Sequence, residues 1–402
     1  MKTVLFALGV SLAAAVASAG QQSDAAYQIE AAGSSQAQPS AGWNLTPALL
    51  MSRMFDDNVL LRGPGDPQEH DYINVVNPRG DLTYHGRRSD FSVHYDGAFV
   101  VYNQLDTLNS FEQRGGLSLK HRASKRNTFF VTSSLAASPT TELLQLSGIP
   151  YVRAGTLTND TRAGVESLLS KTTSATFEAH FQEVRFDASQ TYANLLLGGH
   201  SIGGDASLRH RLSERTTLTA SADFQHASIG AAEQVFDVQH AMAGVEQRLA
   251  RDTRVYVSGG ISRLSVTQYG PARTGPSWSL GLEQHYRSTV IDLSFNRSFV
   301  PSFGFGGTMQ NEDVTARVRL PLTRRIYTQG LASWSRQDPL AVEVPQLRSS
   351  WLEGSVGYAA RPWFRIEAFV ASTRQTAGRP DALLEHTQYG VQVIASKPVR
   401  FR

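Results

Sequence analysis

The chain of 402 residues contains no cysteine. Disulfide staples, thiolate metal sites and cysteine nucleophiles are therefore excluded. It also lacks the repeated apolar runs of about 20 residues that a helical membrane protein needs. Charged residues are scarce, at 18%, and their signs nearly cancel, since 38 Lys and Arg stand against 35 Asp and Glu. No segment gathers the basic residues into an arm or patch, so no nucleic-acid partner is expected. Disorder is excluded from the other side, because aromatic and β-branched residues are plentiful. The 11 histidines fall in neither an H-x-x-x-H nor an H-E-x-x-H arrangement. No metal and no other cofactor is expected.

One apolar run is present, at the N-terminus. Lys2 gives it a positive start, Val4 to Val16 form its core, and Ala17-Ser18-Ala19 is an A-x-A site before Gly20. This pattern predicts a cleavable secretory signal over residues 1–19 and export from the bacterial cytoplasm. No cysteine follows the site, so no lipid anchor is expected there. Residues 20–46, rich in Gln, Ala, Ser and Gly, read as a flexible periplasmic lead-in.

From 47 to 402 one figure repeats: an alternating stretch, a tight charged turn, a second alternating stretch, then a longer loop. In 205–228, Ala206, Leu208 and Leu212 share one parity, and Ser207, Arg209 and Arg211 the other. After Ser213-Glu214-Arg215, the residues Leu218, Ala220, Ala222 and Phe224 alternate with Thr217, Thr219, Ser221 and Asp223. Period 2 is the strand signature and places one set on each face of a sheet. Similar turns fall at Arg87-Arg88-Ser89-Asp90, Ala123-Ser124-Lys125-Arg126-Asn127, Lys171-Thr172-Thr173-Ser174, Ala250-Arg251-Asp252-Thr253, Arg287-Ser288, Thr323-Arg324-Arg325 and Arg361-Pro362. The count is about 18 strands, within 16–18. The first is placed near Arg53–Leu61, and 139–165 is read as one long loop.

A soluble sandwich alternates too, but its turns do not segregate by length. Here the short charged turns lie at one end and loops of about 7–25 residues at the other, as in membrane barrels. Tyr102, Tyr256, Tyr269, Trp278, Tyr327, Trp334, Trp351, Tyr358 and Trp363 fall near strand ends, where interfacial girdles are expected. Only a closed barrel satisfies every backbone group in lipid. The reading is an all-β transmembrane antiparallel barrel in the outer membrane of a Gram-negative bacterium, with short periplasmic turns and longer extracellular loops.

Phe55-Asp56-Asp57-Asn58-Val59 at the barrel's opening and the hairpin Ser207-Leu208-Arg209-His210-Arg211-Leu212-Ser213-Glu214-Arg215-Thr216 carry a resemblance over 47–402. The chain resembles porin-type outer-membrane barrels, some of them associated with exopolysaccharide secretion. The resemblance implies a non-enzymatic pore for hydrophilic solutes or an exopolysaccharide. It implies outer-membrane lipid, the barrel assembly machinery and periplasmic polysaccharide-export proteins as partners. The C-terminus departs from the family: Phe401 is penultimate, and Lys397-Pro398 interrupts the last strand.

The parity rule assigns Lys120, Arg122, Arg209, Arg211, Arg248, Arg254, Arg317, Arg319 and Arg365 to the lumen. It also assigns Asp96, Glu178, Asp223, Glu246, Glu283, Asp292, Asp313, Glu353 and Glu367 there. The basic set crowds beside the short turns and predicts a basic periplasmic collar; the acidic set is expected mostly further up the wall. Such a collar would focus anions, or else its arginines simply solubilise the rim. An alternative is a structural or receptor barrel plugged by the loop at 139–165. A third is a hydrolase using Ser201, since Gly198-Gly199-His200-Ser201-Ile202-Gly203-Gly204 contains G-x-S-x-G. That motif needs a strand, a sharp turn and a helix, and here a clean strand pattern follows. Asp56, Asp57, Asn58, Asp66, Glu69 and Asp71 could bind calcium, but match no known loop spacing.

Overall fold

A computed structural model describes residues 41–63, 65–141, 149–187, 196–230, 234–266, 272–340, 345–378 and 383–401. The expected signal at 1–19 and most of the lead-in lie outside the described residues, as do 142–148 of the long loop and Tyr269. The chain forms β1 (Gly42–Asp56), β2 (Asp71–His85), β3 (Ser89–Tyr102), β4 (Ser110–Arg122), β5 (Asn127–Ser138) and β6 (Thr156–Leu168). There follow β7 (Thr173–Phe186), β8 (Gly199–Arg211), β9 (Thr216–Ile229), β10 (Gln234–Ala250), β11 (Thr253–Val266) and β12 (Arg273–Tyr286). The last are β13 (Thr289–Pro301), β14 (Thr308–Pro321), β15 (Ile326–Pro339), β16 (Leu347–Arg361), β17 (Phe364–Ala377), β18 (Leu383–Ser396) and β19 (Val399–Phe401).

From β1 to β18 each strand pairs antiparallel with the next, and β1 closes the ring against β18 from Ala48↔Ser396 to Asp56↔Gln388. The short β19 continues the line of β18, pairing Trp43↔Phe401 through Leu45↔Val399. Pro398 breaks the two apart, because a proline has no N–H for the ladder. The barrel therefore has 18 staves. β1 starts at Gly42 and ends at Asp56, so 42–46 belong to the wall rather than to the lead-in, and 57–61 are loop rather than first strand. β6 starts at Thr156, which shortens the loop read over 139–165. At the long end the connections run from the four residues after Ile229 to the 17 after Ser138, a shorter range than the 7–25 expected.

A recurring side-chain device shapes several of the short turns. The hydroxyls of Ser124, Ser170, Ser213 and Thr323 each accept two backbone N–H groups from the residues two and three further on. A hydroxyl there replaces the ladder partners lost at the turn.

The two faces differ as the alternation demands. Leu208, Leu218 and Phe224 on the outer parity remain 43%, 42% and 44% exposed, as do Leu352, Val356 and Val370 further round. Apolar side chains left uncovered on a closed barrel belong in lipid. Trp278, Trp334, Tyr358 and Trp363 lie on this outer face. Tyr102, Tyr256, Tyr327 and Trp351 do not: their strand parity turns them into the lumen, a correction to the girdle read from sequence. Tyr256 stands directly opposite Gly281, and Tyr327 opposite Gly357. A Cβ on either glycine would meet the ring at 2.1 Å and 2.3 Å. The rings thus lie flat on the neighbouring strand, in space that only glycine leaves free.

Candidate functional site

The nine basic and nine acidic side chains predicted to face the lumen alternate along their strands with the exposed apolar ones. Their arrangement differs from a basic collar below an acidic wall. Arg209 contacts Glu246 at 2.5 Å; Arg254 lies 3.6 Å from Glu246 and 3.7 Å from Glu283; Arg317 lies 3.8 Å from Asp292. His285 lies 2.9 Å from Asp292. The chain Arg209–Glu246–Arg254–Glu283 thus runs round β8 to β12, and Arg317–Asp292 joins β14 to β13. Glu246, Glu283 and Asp292 sit beside the same short turns as the arginines. Segregation fails because neighbouring staves in a low-dielectric wall favour opposite charges side by side.

The other predicted residues divide between rim and wall. Arg211 donates to the Lys171 carbonyl at 3.0 Å, and the Arg319 guanidinium lies 4.9 Å from the Tyr327 ring centre. Lys120, Arg122, Arg248 and Arg365 lie toward the short-turn end. Higher up, Asp96 holds Arg79 at 2.8 Å, Glu178 lies 3.6 Å from Arg162, and Asp223 lies 2.9 Å from His240. Asp313 accepts from Asn296 and Asn311. Glu367 accepts from the Tyr327 hydroxyl and from Gln392, and Glu353 faces the same stretch of lumen. Sequence reading missed Arg79, Asp160, Arg162 and Asp205, which share this lining. Parity identifies them once the staves are placed, but Asp160 and Arg162 fell inside the stretch read as loop.

Toward the long-loop end the lumen changes character. Val184, Ile229, Phe236, Val238 and Leu264 point inward and are buried. Ile149 from the β5–β6 connection and Phe299 and Phe303 from the β13–β14 hairpin cover them. The hairpin gets there because β13 leaves β12 after Arg297, its last paired residue, while staying paired to β14 as far as Pro301↔Thr308. Its freed backbone finds new partners: the Phe299 carbonyl lies 3.1 Å from His240 Nε2, and the Phe299 N–H donates to Ser262 at 3.5 Å. At its tip Gly304 exchanges two backbone hydrogen bonds with Leu197 of the β7–β8 connection.

A second cluster, Ile73, Ala98, Val100 and Tyr102, is covered by Val59 of the β1–β2 connection. The β5–β6 connection spans the two. The Tyr151 N–H donates to Gln375 on β17 at 2.7 Å, and Arg153 donates to the Val59 carbonyl and the Tyr102 hydroxyl, both at 3.0 Å. Described parts of the β1–β2, β5–β6, β7–β8 and β13–β14 connections therefore fold inward and meet across the long-loop end of the barrel. Burying apolar surface at about 25 cal/mol per Å² favours this cover over a wet apolar wall.

The acidic opening motif is structural in this arrangement. Asp56 accepts from the Asn58 N–H and from Gln388 and contacts His386, while Asp57 accepts from the Thr387 N–H. Asp71 accepts from the N–H groups of Tyr72, Gln104 and Leu105. Among the described residues no group of three or more His, Asp or Glu is placed to hold a metal ion. Ser201 lies within β8, fully buried, with Gln225 donating to its Oγ at 2.9 Å. His200 is on the opposite face of the strand. Ser201 thus lies in a strand that runs on to Arg211, without the sharp turn and following helix of a nucleophile elbow.

No family model matches the chain, and no curated protein matches it. Solved structures similar to it include OccAB4 of Acinetobacter baumannii (TM-score 0.47, 9% identity, 91% of this chain and 100% of that one). Another is the outer membrane protein opdK of Pseudomonas aeruginosa (TM-score 0.44, 12% identity, 89% and 99%). A third is the siderophore receptor PirA of Pseudomonas aeruginosa (TM-score 0.44, 10% identity, 90% and 81%). The chain itself forms a closed antiparallel β-barrel of 18 staves whose outer face is apolar.

Proposed function

We propose that the chain is a non-enzymatic outer-membrane channel for small hydrophilic solutes, narrowed at its outer mouth by its own connections. The observation that carries this reading is the continuous charged lining of β6 to β14, from Asp160 and Arg162 through Arg209, Glu246, Arg254 and Glu283 to Asp292 and Arg317. A barrel that served only as an anchor would fill its interior with apolar side chains, which are cheaper to bury than ion pairs. A charged wall is worth keeping where water and solutes pass. The periplasmic mouth keeps a surplus of positive charge through Arg211, Arg248, Lys120 and Arg122 and through the turn arginines, and draws in anions.

The apolar cover over the outer half favours a second reading, a barrel closed at rest. An exopolysaccharide strand, the larger cargo implied by the family resemblance, would need these inward connections to move together. Planar-bilayer recordings of the purified protein separate the readings. Stable ion-conducting steps support the channel; a silent barrel that stays assembled supports the closed one. Orientation is checked by single cysteines in this cysteine-free chain: in intact cells Asp66→Cys should react with a bulky thiol reagent and Glu214→Cys should not.

A further inference from the structure

The outer wall carries charge at the long-loop end as well as apolar side chains. Round the rim, Arg297 on β13, Glu312 on β14 and Arg336 on β15 stand directly opposite one another in register, all on the lipid-facing parity. The signs alternate, and Arg297 lies 3.4 Å from Glu312. The next residue in the row breaks the pattern, because Arg336 stands directly opposite Arg348 on β16. Like charges facing each other on neighbouring strands, with Cβ atoms about 5 Å apart, destabilise a sheet. Among the described residues of the β15–β16 connection the carboxylate beside them is Asp338, which lies 2.9 Å from Arg336 and also accepts from Gln346. Gln346 in turn accepts from Arg348 at 3.0 Å.

The surroundings of this break are those of an anion site. The row continues to Thr376 on β17. One step toward the membrane, Trp334, Ser350 and Arg374 form the next row across the same three strands. Arg374 is 2.9 Å from Glu385 on β18. Two hydroxyls and three guanidinium groups thus share a patch two residues deep, with Trp334 at its side and Leu352 and Val370 exposed below. A guanidinium fork matches phosphate, the indole suits an interface, and the aliphatic residues suit acyl chains.

We propose that this patch on β15, β16 and β17 binds a phosphate group of the phosphorylated glycolipid of the outer leaflet, seated between Arg336, Arg348 and Arg374. The proposal rests on the reading that the barrel spans the outer membrane with its long loops outward. The phosphate supplies the negative charge that the row lacks at this one step, and the acyl chains run down over Leu352 and Val370.

The test uses the full-length barrel in neutral detergent, titrated with bisphosphorylated lipid A or with lipid A stripped of its phosphates, binding being read by native mass spectrometry. Binding should require the phosphates. It should weaken about tenfold in Arg336→Gln/Arg348→Gln, which loses two charge-assisted contacts, and stay unchanged in Arg263→Gln, an outward arginine on β11. Arg348→Glu completes the alternation of the row, so it should melt no lower than wild type in plain detergent while losing lipid A. Equal binding of the dephosphorylated lipid, or undiminished binding by Arg348→Glu, would overturn the site. Bilayer conductance is scored separately: a silent barrel that still binds lipid A through phosphate removes the channel reading and keeps this one.

Discussion

Arg153 donates to the Tyr102 hydroxyl and to the Val59 carbonyl, each at 3.0 Å, so one side chain of the β5–β6 connection ties two other parts of the mouth together. Gln375 holds the same connection from β17, accepting from the Tyr151 N–H and donating to the Ile149 carbonyl at 3.4 Å. The cover over the lumen thus hangs by a few polar contacts from β17 on one flank and from β3 and the β1–β2 connection on the other. Its apolar part, Ile149 against Val184, Ile229 and Leu264, supplies the rest of its stability.

These contacts make the cover adjustable by mutation. A hydrogen bond to a charged group contributes about 1.5–3 kcal/mol. Removing both Arg153 contacts should raise the displaced population of the connection by a factor of roughly ten or more. Arg153→Ala combined with Gln375→Ala should therefore increase single-channel conductance, or turn a silent barrel into a conducting one. Arg153 lies in a connection and Gln375 faces the lumen near the end of β17, so no lipid-facing residue changes and assembly should be normal. Conductance equal to wild type would mean that the connection does not set the constriction.

The glycines opposite inward tyrosines provide an independent handle on pore width. Gly281→Val puts a branched side chain where the Tyr256 ring now rests and forces the ring upright into the lumen. Gly357→Val does the same to Tyr327. Each variant should assemble with a modest loss of stability, about 1–3 kcal/mol for overpacking, and should conduct less than wild type. Tyr256→Ala in the Gly281→Val background should restore the conductance. Failure of that rescue would place the obstruction elsewhere.

The two faces of a stave answer to different solvents, which β9 makes testable. Ala222 is exposed on the outer parity midway along the strand, paired with Ala206 and Ala241. Ser221 beside it faces the lumen. Ala222→Arg should impair insertion into bilayers by about 2–4 kcal/mol, whereas Leu218→Arg near the short turn should cost much less. Ser221→Arg should fold as wild type, with Asp223 two residues away. Equal damage at 221 and 222, measured by reversible unfolding in lipid vesicles, would point to two buried faces and so to a soluble sandwich.

What the sequence made legible was the part governed by local rules. Alternation assigns Leu218 and Thr219 to opposite faces because the pleat allows nothing else, and Lys397-Pro398 marks the break before β19 for want of an N–H. Tyr256 and Tyr327 show which rule wins when two conflict. Residue type drew them to the membrane interface, yet parity holds them inside, and the glycines opposite make room. The cover over the lumen was not legible. Tyr151 meets Gln375 across 224 positions of sequence, and nothing near residue 151 records where its partner lies. The interleaving of acids and bases was missed for a related reason: Arg209 and Glu246 are on strands two apart, so their contact depends on register around the barrel.

Ion selectivity is where the lining's pairing has its largest measurable consequence. Arg209 neutralises Glu246 at 2.5 Å, whereas Arg211 sits at the rim and donates to a backbone carbonyl. Arg211→Gln removes one positive charge from the mouth and little else. Arg209→Gln removes one and also leaves Glu246 with Arg254 alone, at 3.6 Å, so the wall turns more negative where the solute passes. Reversal potentials under a salt gradient should shift toward cation preference in both variants, and further in Arg209→Gln. Changing Arg209, Arg211, Arg317 and Arg319 together to Gln should shift it furthest, since Asp292 loses Arg317 as well. All these shifts should shrink as salt rises, because the Debye length falls from about 10 Å at 0.1 M to 3 Å at 1 M. The lipid face is unchanged in every variant, so the barrel should still assemble. An assembled quadruple variant with wild-type selectivity would leave the arginines as structural partners of the acidic lining, with no part in choosing the solute.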